Sequence, residues 1–159
     1  MDLSVALTPA ATLRRARADD VPALVGLLAD DPLGRTRESP TDLAPYRRAF
    51  AEVDADPAHL LVVAEAEHMV VGTLQLSVLT SLSRGGARRG QVEAVRVHRD
   101  HRGSGLGSAL VRWAVEEAAG RGCALIQLTN DAQRADAHRF YERLGFRASH
   151  TGFKLELPR

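Results

Sequence analysis

Residues 95–110 read VRVHRDHRGSGLGSAL, and the fold is decided there. The alternating apolar run at 91–97 predicts a strand. It leads into a turn with Gly103, Gly105 and Gly107 at every second position, and the turn restarts as a helix over 105–120 carrying Leu106, Leu110, Val111 and Ala114 on one side. A strand that ends in a glycine turn and resumes as a helix makes an anion site. Glycine allows the backbone to approach a ligand closely, and the N–H groups of the first helical turn have no partners within the helix. A simple tight turn needs one glycine, so three beside Arg102 point to bound phosphate. The spacing is neither the dinucleotide fingerprint nor a P-loop, since no Gly-Lys-Ser/Thr follows.

Outward from this stretch the pattern is α/β. Downstream, residues 123–128 (CALIQL) form a second apolar strand, so strand, helix and strand make a right-handed βαβ unit with a parallel pair. Residues 132–144 then predict a helix with Ala137, Phe140, Tyr141 and Leu144 on one face and Gly145 closing it. A last strand is expected over 146–157, bent near Gly152. Upstream, 59–65 (HLLVVAE) is apolar almost throughout, as in a strand covered on both faces. It is joined by Glu67-His68 to a strand over 69–80, and so short a link implies an antiparallel hairpin. Before these lie a short strand at 13–16, a helix after Asp19-Asp20 with Pro22 in its first turn, and a helix over 41–53 capped by Thr41. The basic, glycine-rich segment 81–90 reads as a hairpin connection, with a lip over the site as the sharper alternative. The expected architecture is a mixed, mostly antiparallel central sheet with one parallel βαβ pair and helices on both faces. Residues 1–11 are expected to be a flexible tail and 12–159 a single domain.

Composition narrows the function. The chain has 159 residues, 45% hydrophobic and 26% charged, with a formal net charge of +1. That balance gives no bulk electrostatic case for nucleic acid or a membrane surface. Lys154 is the only lysine. The single cysteine, Cys123, rules out an internal disulfide framework and suits a reducing, cytoplasmic setting. No basic n-region opens the chain and Pro9 breaks its first apolar run, so no signal peptide is expected. His98 and His101 lack companion ligands, so no metal is expected.

The stretch VRVHRDHRGSGLG resembles the acyl-coenzyme A signature of the GNAT N-acetyltransferase superfamily, R/Q-x-x-G-x-G/A, with Arg102, Gly105 and Gly107 in its named positions. NDAQRADAHRFYERLGF at 130–146 resembles the family's second signature, through its A-H-x-F-Y-E-x-x-G-F core. Recognisable sequence covers about 91–150; the first ninety residues match in layout only. The resemblance implies a bulged central strand that splays from its parallel neighbour, with the pantetheine arm of acetyl-CoA lying in the gap. Val95, Arg96 and Val97 would then face that arm. The backbone of Arg102, Gly103, Ser104, Gly105, Leu106, Gly107 and Ser108 would hold the pyrophosphate, and Asn130, His138 and Tyr141 would complete the cofactor side.

Amide formation from a thioester needs an unprotonated amine and benefits from a proton donor to the leaving thiolate. Tyr141 is the candidate donor, since an ordinary phenol near pKa ~10 can protonate a thiolate whose thiol lies near ~8.5. Glu93 is the candidate base: a carboxylate in an apolar alternation is expected to be partly desolvated, with a raised pKa. Asp30, Asp31 and Glu38 fall in the loop between the first helices, where they are either solvated or a cluster suited to a cationic amine. The expected activity is acetyl transfer from acetyl-CoA to an amine, most simply of a small molecule, by direct attack in a ternary complex. A homodimer is a family-level expectation. Two other readings stay open at this point: a non-catalytic acyl-CoA-binding or regulatory module, and a nucleotide-binding domain of another kind.

Overall fold

A computed structural model describes residues 3–31, 34–131 and 134–158. Six strands form one sheet in chain order: β1 (Ser4–Thr8), β2 (Ala11–Arg15), β3 (His59–Ala66), β4 (Met69–Thr80), β5 (Arg88–Val97) and β6 (Cys123–Leu128). All neighbours are antiparallel except β5 and β6, which are parallel. Helix α4 (Leu106–Gly120) makes the crossover between that pair, as the βαβ spacing requires.

The sheet is covered on both faces. On one side α4 buries Leu106, Leu110, Val111 and Ala114 against Leu13, Val62, Leu74, Leu76 and Val92. On the other, α1 (Val21–Ala29) and α2 (Ala44–Ala55) bring Leu24 and Phe50 over Leu61, Val63 and Val70. Alternate residues of β3 therefore enter different cores, and its near-continuous apolar run follows from that.

Four expectations change. Residues 4–8, assigned to a flexible tail, form the edge strand β1, which pairs with β2 from Ser4↔Arg14 to Thr8↔Ala11. Val5 and Leu7 there are too isolated among small and polar residues for the pattern to speak without its partner. Helix α2 begins at Ala44 rather than Thr41; Asp42 Oδ1, not Thr41, accepts the Ala44 N–H at 3.1 Å. The segment 81–90 contains a single turn, α3 (Ser83–Gly86), broken by left-handed Arg84 and Gly85, before β5 starts at Arg88. Finally, no strand forms over 146–157. Phe153, Leu155 and Leu157 lie exposed there. Their alternation specifies which face a strand would bury, but supplies no neighbouring edge to pair with.

The last helix is α5 (Ala135–Arg143); its expected start at 132–133 lies outside the described residues. Gly145 follows with φ 91°, and the Gly145 and Phe146 N–H groups return to the carbonyls of Glu142 and Tyr141. This left-handed ending is the one glycine favours.

Candidate active site

The site begins with an irregularity in β5. Glu93 pairs with Gln75 and Arg96 with Thr73, so two residues of β5 stand opposite the single Leu74 of β4. Ala94 takes φ 54° to make this bulge. Pairing between β5 and β6 stops at Val92↔Leu128. Residues 93–97 consequently continue without a neighbour on that side, and the two parallel strands part.

A cleft of about 630 Å³ occupies the gap. Its walls include Glu93, Val95, Arg96 and Val97 from β5, Asn130 after β6, and Tyr141 from α5. Arg102, Gly103, Gly105, Gly107 and Ser108 line it at the turn. Most of the predicted site residues are thus brought together at the carboxyl ends of a parallel strand pair, where open α/β sheets place their ligands.

Three predicted residues stand apart. Ser104 is not among the lining residues and its hydroxyl donates to the His101 carbonyl at 2.6 Å. The Leu106 side chain is core, 2% exposed, so only its backbone can serve the turn. His138 lies along the exposed side of α5 near Glu142, 3.7 Å away, outside the lining. None of residues 81–90 lines the cleft either, which favours the hairpin-connection reading of that segment over the lip.

The glycine turn has the backbone geometry that an anion site needs. Gly103 (φ 79°) and Gly105 (φ 87°) occupy the left-handed region, where a side chain is strained, and Gly105 caps α4. Gly107 is already helical, and a Cβ there would meet Phe140 and Val97 at 3.6 Å. Arg102 leans across the turn and donates through Nε to the Val97 carbonyl at 3.1 Å. The Val95 carbonyl likewise accepts from Arg96 Nη1 at 2.9 Å. A carbonyl has a second lone pair, so each can still accept from a bound amide. The residues present therefore fit a diphosphate on the N–H groups of the turn and an extended, amide-bearing arm along residues 93–97.

Tyr141 is set by its rings. Phe140 and Phe146 meet it edge-on at 5.0 and 5.8 Å between ring centres. Burial lifts its phenol above the ordinary range; the positive charges of Arg134 and Arg96 pull the other way and are outweighed. Glu93 differs from expectation. It is exposed to the cleft rather than partly desolvated, because the splay leaves its strand uncovered on the β6 side. The Asn130 side-chain amide donates to the Arg134 carbonyl at 3.3 Å.

The two aspartates after α1 are not a landing site for a cation. Asp30 holds Arg99 at 2.7 Å and Arg102 at 3.1 Å. Asp31, 4% exposed, holds Arg96 at 3.1 Å and Arg134 at 3.3 Å. Both carboxylates are committed to arginines that line or flank the cleft. Arg134, absent from the sequence-based site, sits four residues after Asn130 at the N-cap of the arginine-rich α5, with nothing in its spacing to distinguish it from its neighbours.

Among the described residues no group of three or more His, Cys, Asp or Glu gathers where it could hold a metal ion. Nor is any described helix long and apolar enough to cross a membrane.

The family model of the acetyltransferase (GNAT) family matches residues 22–146, spanning both signatures. The chain belongs to the GNAT acetyltransferase family. An aminoalkylphosphonate N-acetyltransferase of Salmonella typhimurium is 31% identical over 149 residues, covering 94% of this chain and 93% of that protein. A glucosamine 6-phosphate N-acetyltransferase of Trypanosoma brucei brucei is 35% identical over 88 residues, or 55% of this chain and 58% of its own length. Among solved structures, one described as a transcriptional regulator from Bacillus halodurans is 47% identical, with a TM-score of 0.89 over 92% of this chain and 99% of the other. With the family shared and the relatives named for this activity, the GNAT chain is an N-acetyltransferase.

Proposed function

We propose that this N-acetyltransferase moves an acetyl group from acetyl-CoA to the amine of a small molecule, by direct attack with both substrates bound in the cleft. The observation that carries the reading is the splayed gap itself: a glycine cradle at one end, unpaired strand residues 93–97 along one wall, and Tyr141 on the wall opposite. Acetyl-CoA supplies the acetyl thioester. Residues 102–108 hold its phosphates by backbone N–H groups, and Val95 and Val97 align the arm. Glu93 takes a proton from the acceptor amine, directly or through water, because an ammonium has no lone pair with which to attack. A backbone N–H at the β5 bulge polarises the carbonyl. Tyr141 then donates its phenolic proton to the departing sulfur. The raised phenol keeps that proton available across the working range.

The acceptor is a small molecule by the size of the cleft and by the kinship with enzymes named for aminoalkylphosphonate and glucosamine 6-phosphate. We place the reaction in the cytoplasm, where the cofactor and a single reduced cysteine are both at home.

The test is a continuous thiol-release assay with acetyl-CoA and a panel of amines. Release that depends on both the amine and acetyl-CoA, with acetylated amine detected by mass, is expected. A second reading, a non-catalytic acyl-CoA-binding or regulatory module, draws its support from the description of the Bacillus halodurans structure as a transcriptional regulator. Tight coenzyme A binding with no thiol release from any amine would select that second reading.

A further inference from the structure

The bulge at Ala94 has a directional effect. Gln75 and Thr73 are two apart on β4, so their side chains point to one face of the sheet. Their partners Glu93 and Arg96 share that face, although three positions separate them on β5. It is the face covered by α1 and α2, through which Leu61 and Val63 also point. The candidate base and a guanidinium therefore stand side by side on the wall nearest the α1–α2 connection.

Arg96 is not alone there. Asp31 Oδ2 makes ion pairs with Arg96 Nη2 at 3.1 Å and with Arg134 Nη1 at 3.3 Å. Two cations thus share one carboxylate, so Asp31 balances the charge of only one of them. The Asp31 side chain is 5% exposed, whereas those of Arg96 and Arg134 are 23% and 40% exposed and both line the cleft. The charges of both reach Tyr141, so the pair lies within electrostatic reach of the candidate proton donor. Arg96 Nε is buried with no hydrogen-bond partner. Glu38 also acts on Arg96 through its charge, but its carboxylate is engaged by the Tyr46 hydroxyl at 2.8 Å. The Arg99–Asp30–Arg102 cluster at the turn has an anion to serve, the cofactor's phosphates; this second arginine pair has none on the acetyl-CoA side.

A purely cationic acceptor would be repelled by these guanidinium groups, and a neutral one would leave their charge unpaired. An oxyanion fits, since guanidinium forks match its geometry. Resting on the N-acetyltransferase reading above, we propose that Arg96 and Arg134, braced by Asp31, bind an oxyanion carried by the acceptor itself. The substrate is then a small zwitterionic amine: its amino group lies toward Glu93, and a phosphonate, phosphate or carboxylate a few bonds away meets the two arginines.

The test is calorimetry on the coenzyme A-saturated protein with three amines of similar size: 2-aminoethylphosphonate, β-alanine and n-propylamine. The native chain should bind at least one of the two oxyanion amines ten-fold or more tighter than propylamine, and the larger gain identifies the oxyanion. In Arg134→Gln that ratio should fall toward one, and Arg134→Lys, which keeps the charge but not the fork, should fall between. Equal affinity for all three amines in the native chain overturns the proposal, as does a preference that survives Arg134→Gln unchanged. Because binding is read without turnover, absence of thiol release with every amine would count against the catalytic reading alone and leave the binding ratio to decide this one.

Discussion

Tyr141 shows how a core pattern and a place on the cleft wall can coincide in one residue. Its place among Ala137, Phe140 and Leu144 is that of a core side chain, and it does pack edge-on against Phe140 and Phe146. The same burial raises its phenol, so the group remains protonated at pH values where an exposed tyrosine ionises. A donor must hold its proton to work, so activity that depends on it is kept below its pKa and lost above. The alkaline decline of kcat should accordingly begin above pH ~10. Tyr141→Phe should lower kcat by about 10²-fold or more, leave coenzyme A affinity nearly intact, and abolish that alkaline limb. Equal kcat for the variant and the native chain would remove Tyr141 from the chemistry. Glu93 was legible as a carboxylate in an odd place, but its exposure was not. Whether a strand residue is covered depends on where the neighbouring strand leaves the ladder, and nothing in residues 91–97 alone records that β6 departs after Val92.

At the level of elements, the glycine turn was the most readable part of the chain, and its three glycines turn out to be unequal. Gly103 and Gly105 are required by their left-handed backbones, whereas Gly107 sits in ordinary helical geometry within α4. Gly105→Ala should therefore cost about 1 kcal/mol in stability, with weaker coenzyme A binding as the turn distorts. Gly107→Ala should be neutral or stabilising by up to roughly 1 kcal/mol, since alanine is the better helix former and its Cβ meets Phe140 and Val97 only at contact distance. Urea unfolding of the two variants decides this; equal destabilisation would mean that φ does not set the requirement. The parallel pair and the two sheet faces were legible because periodicity reports burial. The bulge was not, since Ala94 is an unremarkable residue in a left-handed conformation, imposed by the partner strand rather than by its own preference. Misreading the last segment has the same origin: Phe153, Leu155 and Leu157 alternate as a strand would, while pairing depends on an edge being within reach.

Across the whole molecule, the acceptor side is held to the sheet by buried ion pairs that no local pattern announces. Arg14 on β2 binds Asp20, just before α1, through both guanidinium ends at 2.7 and 2.9 Å, and reaches Glu65 on β3 through Nε at 2.8 Å. Asp20 stands at the N-cap of α1 but makes no side-chain cap bond to it, and accepts instead from Arg14 and the Arg17 N–H. This one carboxylate thus fixes the entry of α1, and through α1 the position of Asp30 and Asp31, which hold the four arginines beside the cleft. Burial opposes ionisation of Asp20, but the hydrogen bonds from Arg14 and Arg17 together with the Arg14 charge outweigh it and hold the carboxyl below its usual range. A carboxyl depressed on folding contributes stability above its unfolded pKa of about 4, and that contribution fades as the pH falls through the lower folded value. Asp20→Asn should cost on the order of 2 kcal/mol at pH 7, since it leaves Arg14 half-paired in a largely buried place. The deficit should narrow as the pH falls from ~4, where the unfolded carboxyl takes up its proton, toward the lower folded value, where the native one does so too. Urea denaturation of both chains at pH 7, 4 and 3 measures this. A deficit that stays constant over the three would mean that shape, not charge, is what Asp20 contributes.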